Sequence, residues 1–292
     1  MQIRTRSGAL NLGIHTPIVI QTPRGHARWE ESAGPEELRR VVIAADRLGY
    51  HHLTCSEHIG VPSAQRKWRG VVYWDPVGTL AWVAALTTDI LLATNVVVLG
   101  YHHPVELLKR YGTVDVLAGG RVVLGVGVGT LREEFDLLQA SFEDRGARAD
   151  ESLDALRSGW GKAEVEYRGS HFSYDDLTVE PHSPSTAPRI WVGGSTSRSL
   201  RRAVELGRGW TPFGLANSDV AAMLATVELP RGFDVVLPTG PLDPKGEPEQ
   251  TLGVLDQLAA CGATAVHAAF LHHSLADYLE QLEALAAMAS AN

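Results

Sequence analysis

The chain has 292 residues, 26 Lys and Arg against 34 Asp and Glu, a formal net charge of -8 and a pI of about 5.8. An acidic chain without a clustered basic face excludes a nucleic-acid footprint, because neutralising phosphates takes grouped cations; the nearest group, Arg198, Arg201, Arg202 and Arg208, reads as a solvated helix face. Two cysteines, Cys55 and Cys261, make neither a disulfide framework nor a zinc spacing, the N-terminus lacks a secretory apolar core, and nothing nears 18 uninterrupted apolar residues. The expectation is a cytoplasmic protein that engages no membrane, no nucleic acid and no metal.

Apolar, β-branched runs predict strands at 14–20, 52–55, 90–99, 122–128, 190–192, 210–213, 233–237 and 265–270. Helices are predicted between them. Gly34-Pro35-Glu36-Glu37 opens one with Pro at its first position and acids at its positive end, followed by Leu38, Val41, Val42 and Ala45 at 3–4 spacing. Asp75-Pro76 opens a second, Pro104 a third that ends at Gly119-Gly120, and Ser274 to Asp277 a last one. Eight continuously apolar strands, most followed by a helix, fit a parallel sheet covered on its outside, and the count favours closure into a (β/α)8 TIM barrel over an open doubly wound sheet. Residues 161–188, with Tyr167-Arg168-Gly169-Ser170-His171-Phe172 and Pro181, Pro184 and Pro188, predict a hairpin and loop inserted before strand 5 of a single domain spanning 1–292.

In such a barrel the active site is built at the carboxyl ends of the strands, so four places matter. Glu57-His58 follows the second strand, where an acid and an imidazole serve either as a proton shuttle or as a structural pair. The neighbouring pairs His51-His52, His102-His103 and His272-His273 are not chelates, since adjacent residues on extended chain face opposite ways. Thr94-Asn95 interrupts an otherwise buried strand and calls for a bulge or a ligand. Gly125-Val126-Gly127-Val128-Gly129-Thr130 lacks the spacing of a dinucleotide fingerprint and instead lets the barrel interior or a flat ring approach closely. Gly193-Gly194-Ser195-Thr196, at a strand-to-helix junction, is a phosphate site or a well-capped tight turn. No GxSxG, GxxxxGK[ST] or HExxH motif occurs.

Together, residues 35–58, 75–129 with their continuation Thr130-Leu131-Arg132-Glu133-Glu134-Phe135, and 189–214 resemble the luciferase-like monooxygenase superfamily, in particular its coenzyme F420-dependent branch. The resemblance implies a cofactor at the carboxyl face, with Glu57 and His58 beside its ring, a cis step at Asn95-Val96 supporting the ring together with Thr94, Gly127, Val128 and Gly129 along it, and Gly193, Gly194, Ser195 and Thr196 on its phosphate. It implies hydride transfer between the deazaflavin C5 and a small organic substrate, with His58 handling the proton and Glu57 assisting; FMN is the alternative cofactor, and dimers are usual. Where the superfamily's sugar-phosphate dehydrogenases carry a carboxylate after the glycine run this chain has Thr130, which argues against a phosphorylated sugar. His26, Trp29, Trp68, Tyr73, Trp74 and Tyr101 are the expected lining of a pocket for a flat or apolar substrate. A non-redox barrel using Glu57 and His58 as acid and base, and a non-catalytic cofactor-binding barrel, are the rival readings.

Overall fold

A computed structural model describes residues 1–23 and 25–291. Eight strands run parallel: β1 (Ala9–Ile14), β2 (His52–Cys55), β3 (Leu91–Thr94), β4 (Val122–Gly127), β5 (Ile190–Gly193), β6 (Gly209–Thr211), β7 (Asp234–Leu242) and β8 (Ala265–Phe270). Each pairs with the next, and β8 returns to β1 through Ala265 opposite Asn11 and His267 opposite Gly13, so the sheet closes. The expected (β/α)8 barrel is what the chain builds. Its outer helices are α1 (Pro35–Arg47), α2 (Pro76–Ala84), α3 (Pro104–Leu117), α4 (Arg145–Gly159), α5 (Ser197–Leu206), α6 (Asn217–Leu224), α7 (Pro248–Ala260) and α8 (Leu275–Ala291). None among the described residues is long and apolar enough to cross a membrane.

The starts of these helices follow from local chemistry. Glu37 accepts the Gly34 N–H at 2.8 Å before α1, and the Asp75 carboxylate accepts the Gly78 N–H at 2.9 Å before α2, each satisfying an otherwise orphaned donor next to a first-position proline. Leu38, Val41, Val42 and Ala45 then bury the inner face of α1.

Several strand boundaries differ from the sequence reading, the seventh strand running on to Leu242 where 237 was expected. The first barrel strand is 9–14, not 14–20: Asn11 and Gly13 break its apolar run, while Ile18 lies beyond it at φ 74 with its N–H donated to Glu30 at 2.7 Å. The third, expected to run over 90–99, stops at Thr94; the Asn95–Val96 peptide is cis, and the chain rejoins the sheet at Val97–Val98 against Val126 and Gly127. The sixth ends at Thr211, leaving Phe213 exposed. The insertion before β5 does form a hairpin, Glu164–Arg168 with Ser173–Thr178, which the Glu151 carboxylate of α4 holds by accepting the N–H groups of Ser170, His171 and Phe172. Nor is the arginine group simply solvated: Arg202 is buried and, with Arg198, pairs with Asp150.

Glycines let the bent β3 meet its neighbours. A Cβ on Gly125 would run into the Thr94 carbonyl oxygen, and one on Gly127 or Gly193 would approach the Val96 methyls to 2.8 and 2.9 Å. Backbone cannot step aside as a side chain can, so Gly125→Ala is expected to cost about 3 kcal/mol of unfolding free energy, whereas Gly253→Ala on α7, with nothing within 4 Å, should gain about 0.5 kcal/mol. Urea titration of both variants checks the pair.

Candidate active site

The carboxyl ends of β1, β3, β7 and β8 surround a cavity of about 530 Å³ lined by His15, Asn95, Pro238, Pro241, His267 and Phe270, with His26 and His272 on its rim. That volume suits a small molecule. The bend after β3 turns the Asn95 side chain inward, where its Oδ1 accepts the Thr211 hydroxyl at 3.4 Å, and the Asn95 carbonyl accepts the Ser56 hydroxyl. Burial favours the neutral forms of three imidazoles of this cavity: His267 is pushed down to about 3, with His15 adding to the shift, His272 to about 4, and His15 itself is lowered. No group of three or more His, Cys, Asp or Glu placed to hold a metal occurs among the described residues.

A second cluster stands at the end of β2. His58 Nδ1 lies 2.8 Å from Glu134 Oε2, and the other Glu134 oxygen accepts the N–H groups of Ile59 and Gly60 at 2.6 and 3.1 Å. The Tyr101 hydroxyl donates to the same carboxylate at 2.8 Å, and Tyr73 packs edge-on against His58 with ring centres 4.4 Å apart. Burial would raise the Glu134 carboxyl, but the hydrogen bonds from His58, Tyr101 and Gly60 outweigh it and hold it below the usual range; desolvation and the bond to Glu134 push the Tyr101 phenol up. A carboxylate only accepts, so Nδ1 carries a proton, and in the neutral ring Nε2 is the nitrogen with the lone pair. This fixed tautomer is what a proton carrier requires.

Glu57, expected beside His58 as a second catalytic group, is turned the other way. One oxygen accepts the Val98 N–H at 2.8 Å and the other meets His102 Nε2 at 2.7 Å; His102, despite desolvation, is raised by this partner. Glu57 therefore pins the resumed third strand to the segment leading into α3. The carboxylate that orients His58 is Glu134, 76 positions on, which no local spacing could have paired with it.

Other expected residues are dispersed. The Thr94 hydroxyl is fully buried and donates to the Gly125 carbonyl at 2.7 Å. The space beside Gly127 is taken by Val96, and that beside Gly129 (φ 79) by Val98 and Phe135, so the glycine run accommodates the bent strand itself, with Val128 half-buried between. At the β5–α5 junction Gly194 has φ 126 and its carbonyl accepts the Trp210 indole N–H at 3.0 Å, while Thr196 and Ser199 cap each other; Ser195 is half-buried and Thr196 exposed, leaving the end of α5 open. Of the expected substrate-pocket residues only His26 lines the cavity. Trp29 supports it from behind, donating to His272 Nδ1 at 2.8 Å. Trp74 packs against the core, Tyr73 and Tyr101 belong to the His58 cluster, and Trp68 is exposed.

Residues 10–230 match the family model described as luciferase-like monooxygenase. The F420-dependent glucose-6-phosphate dehydrogenase of Segniliparus rotundus is 29% identical over 196 residues, which is 64% of this chain and 55% of that protein, so the chain spans about half the length of the curated relatives it matches. Among solved structures, the monooxygenase RslO1 from Streptomyces bottropensis superposes with a TM-score of 0.74 at 21% identity, over 96% of this chain and 98% of that one. The coenzyme F420-dependent tetrahydromethanopterin reductase from Methanopyrus kandleri does so with 0.71 at 14%, over 97% and 99%. These last two likenesses concern the fold.

Acid should destabilise this protein early. His51, at about 4, and His267, at about 3, sit below the ordinary imidazole value because burial disfavours their charged forms, whereas in the unfolded chain both titrate near 6.5. The unfolded state then binds more protons, so their contribution is complete above about pH 6.5 and is lost on acidification toward pH 4, at roughly 1.4 kcal/mol per unit for each group. Urea unfolding across this range is expected to show that slope, and His267→Phe to reduce it.

Proposed function

The chain belongs to the luciferase-like monooxygenase family, and from that premise we propose that it is a coenzyme F420-dependent oxidoreductase acting on a small organic substrate. The observation that carries the reading is the bend at Asn95–Val96, which opens a cavity on the carboxyl face of the same barrel that presents the uncovered N-terminus of α5. These features fit a flat ring with a phosphate-bearing tail. Asn95 and Val96 would support the ring, with Gly127 to Gly129 acting through Val96 and Val98, and the turn of Gly194, Ser195 and Thr196 would take the phosphate at the positive end of α5. When bound, the deazaflavin supplies C5 as hydride donor or acceptor.

The chain's own residues do the rest. His58, its proton fixed on Nδ1 by Glu134, exchanges a substrate proton at Nε2. Phe270, Leu271, Pro238 and Pro241 give the cavity apolar lining, and Arg28 is the only Lys or Arg among its described lining residues, a poor match for a phosphorylated sugar. An unphosphorylated substrate with apolar bulk fits better. The reading extends to a cytoplasmic homodimer: buried free Cys55 and Cys261 suit a reducing compartment, and sedimentation tests the assembly.

Spectroscopic titration with F420 and with FMN is expected to show saturable binding of F420 and weaker or absent binding of FMN; failure to bind F420 overturns the proposal. Gly194→Trp, which fills the turn, should abolish that binding. Separately, His58→Ala should lower turnover about 10²-fold with the fold intact, while Glu57→Gln should lower stability by about 1–3 kcal/mol and leave the pH dependence of turnover unmoved.

A further inference from the structure

The barrel interior carries an unbroken line of hydrogen-bonding side chains where aliphatic layers are the rule. His51, just before β2, lines a cavity of about 760 Å³ on the opposite, amino-terminal face together with Arg189, Arg208 and Asp234. Its Nδ1 lies 2.9 Å from Nδ1 of His52, which is fully buried. His52 Nε2 lies 2.8 Å from His267 Nδ1; His267 Nε2 lies 3.3 Å from the Thr211 hydroxyl, and that hydroxyl donates to Asn95 at 3.4 Å. His267 and Asn95 line the cavity on the carboxyl face. The line thus joins the two faces of the barrel.

We propose that His51, His52 and His267 form a proton path along the barrel axis, linking the amino-terminal face to the candidate active-site cavity. Each neutral imidazole has one N–H and one lone pair, and a single arrangement satisfies every contact: His51 Nδ1–H to His52 Nδ1, His52 Nε2–H to His267 Nδ1, His267 Nε2–H to Thr211, and Thr211 to Asn95. A proton taken from water at His51 Nε2 lets each ring pass its own proton onward, and one leaves from His267 Nε2 to an acceptor in the cavity, which His267 itself lines. One proton enters, one exits, and every ring ends neutral with its N–H on the opposite nitrogen, ready for passage the other way. The charged and titratable neighbours are few: the Met1 amino group and Arg189 near His51, Asp234 bonded to the intervening Trp191 at 3.0 Å, and His15 near His267. Burial lowers all three imidazoles, which matches a path of neutral rings. Trp191 packs edge-on against His52 at 5.0 Å.

What the protons serve in the cavity rests on the proposed redox function, but conduction does not, so the test uses protein without added cofactor. In ¹⁵N-histidine-labelled full-length protein, the ring N–H of His52 should exchange with water at least roughly tenfold faster than the backbone amides of β2 and β8, and His51→Phe should slow it at least roughly tenfold with those amides unchanged. Exchange as slow as the amides in the parent protein, or unaffected by His51→Phe, overturns the proposal. Should His51→Phe not fold, His51→Gln, which retains a hydrogen bond but cannot take up and release a proton in turn, is held to the same two outcomes. A failed F420 titration would leave this measurement intact, and the reverse holds.

Discussion

The ring of His52 lies against the bare Cα of Gly13, and the architecture of the barrel interior follows from that contact. A Cβ on Gly13 would overlap all three of the nearest imidazole atoms, so β1 can pass β2 at this level only as glycine. With His52 seated, His267 takes its Nε2 and Trp191 fills the remaining volume edge-on, with ring centres at 4.9 and 5.0 Å. A lower layer of Leu91, Ala93, Val123, Trp191, Val236 and Ala265 plugs the barrel beneath. Buried imidazole without partners would cost several kcal/mol, and the line of contacts is what makes it tolerable.

A second constraint is the bend after β3. The alternating glycines of β4 leave room for it, Glu57 fixes the chain where it resumes, and the Asn95 side chain is delivered to the cavity as a result. Three features that read separately along the chain, an acid after β2, a polar step in β3 and a glycine run in β4, are one mechanical unit. The acid in it bonds the Val98 N–H and His102. The imidazole next to it bonds instead to Glu134, so the two neighbours that follow β2 turn to different partners.

The two polar systems of the barrel also differ in kind. Around His58 a carboxylate accepts from four donors and is held ionised, which fixes one tautomer. Along the axis no carboxylate among the described residues touches the rings, burial favours their neutral forms, and the reversed set of tautomers keeps the ring-to-ring contacts while the Thr211 hydroxyl turns from Asn95 to His267. A fixed tautomer suits proton exchange at one atom; a convertible one suits transfer over distance.

Much of this was legible along the chain. The order of strands and helices, the hairpin before β5, the interruption at Asn95 and the cap at Thr196 are local matters, decided by apolar period, proline and glycine placement and side-chain capping over a few residues. Position 13 shows the limit: in sequence it is a glycine that weakens a strand, and the true first strand was passed over for the more apolar 14–20. Only in the closed barrel does it become the seat of His52. Glu134 with His58, His267 with His52 and Val96 with Gly127 are pairs set by strand closure between distant segments, and the cavity exists because four such segments end at one rim. Periodicity reports which way a side chain faces relative to its own element; which side chain it meets across the barrel is settled by the register of all eight strands at once.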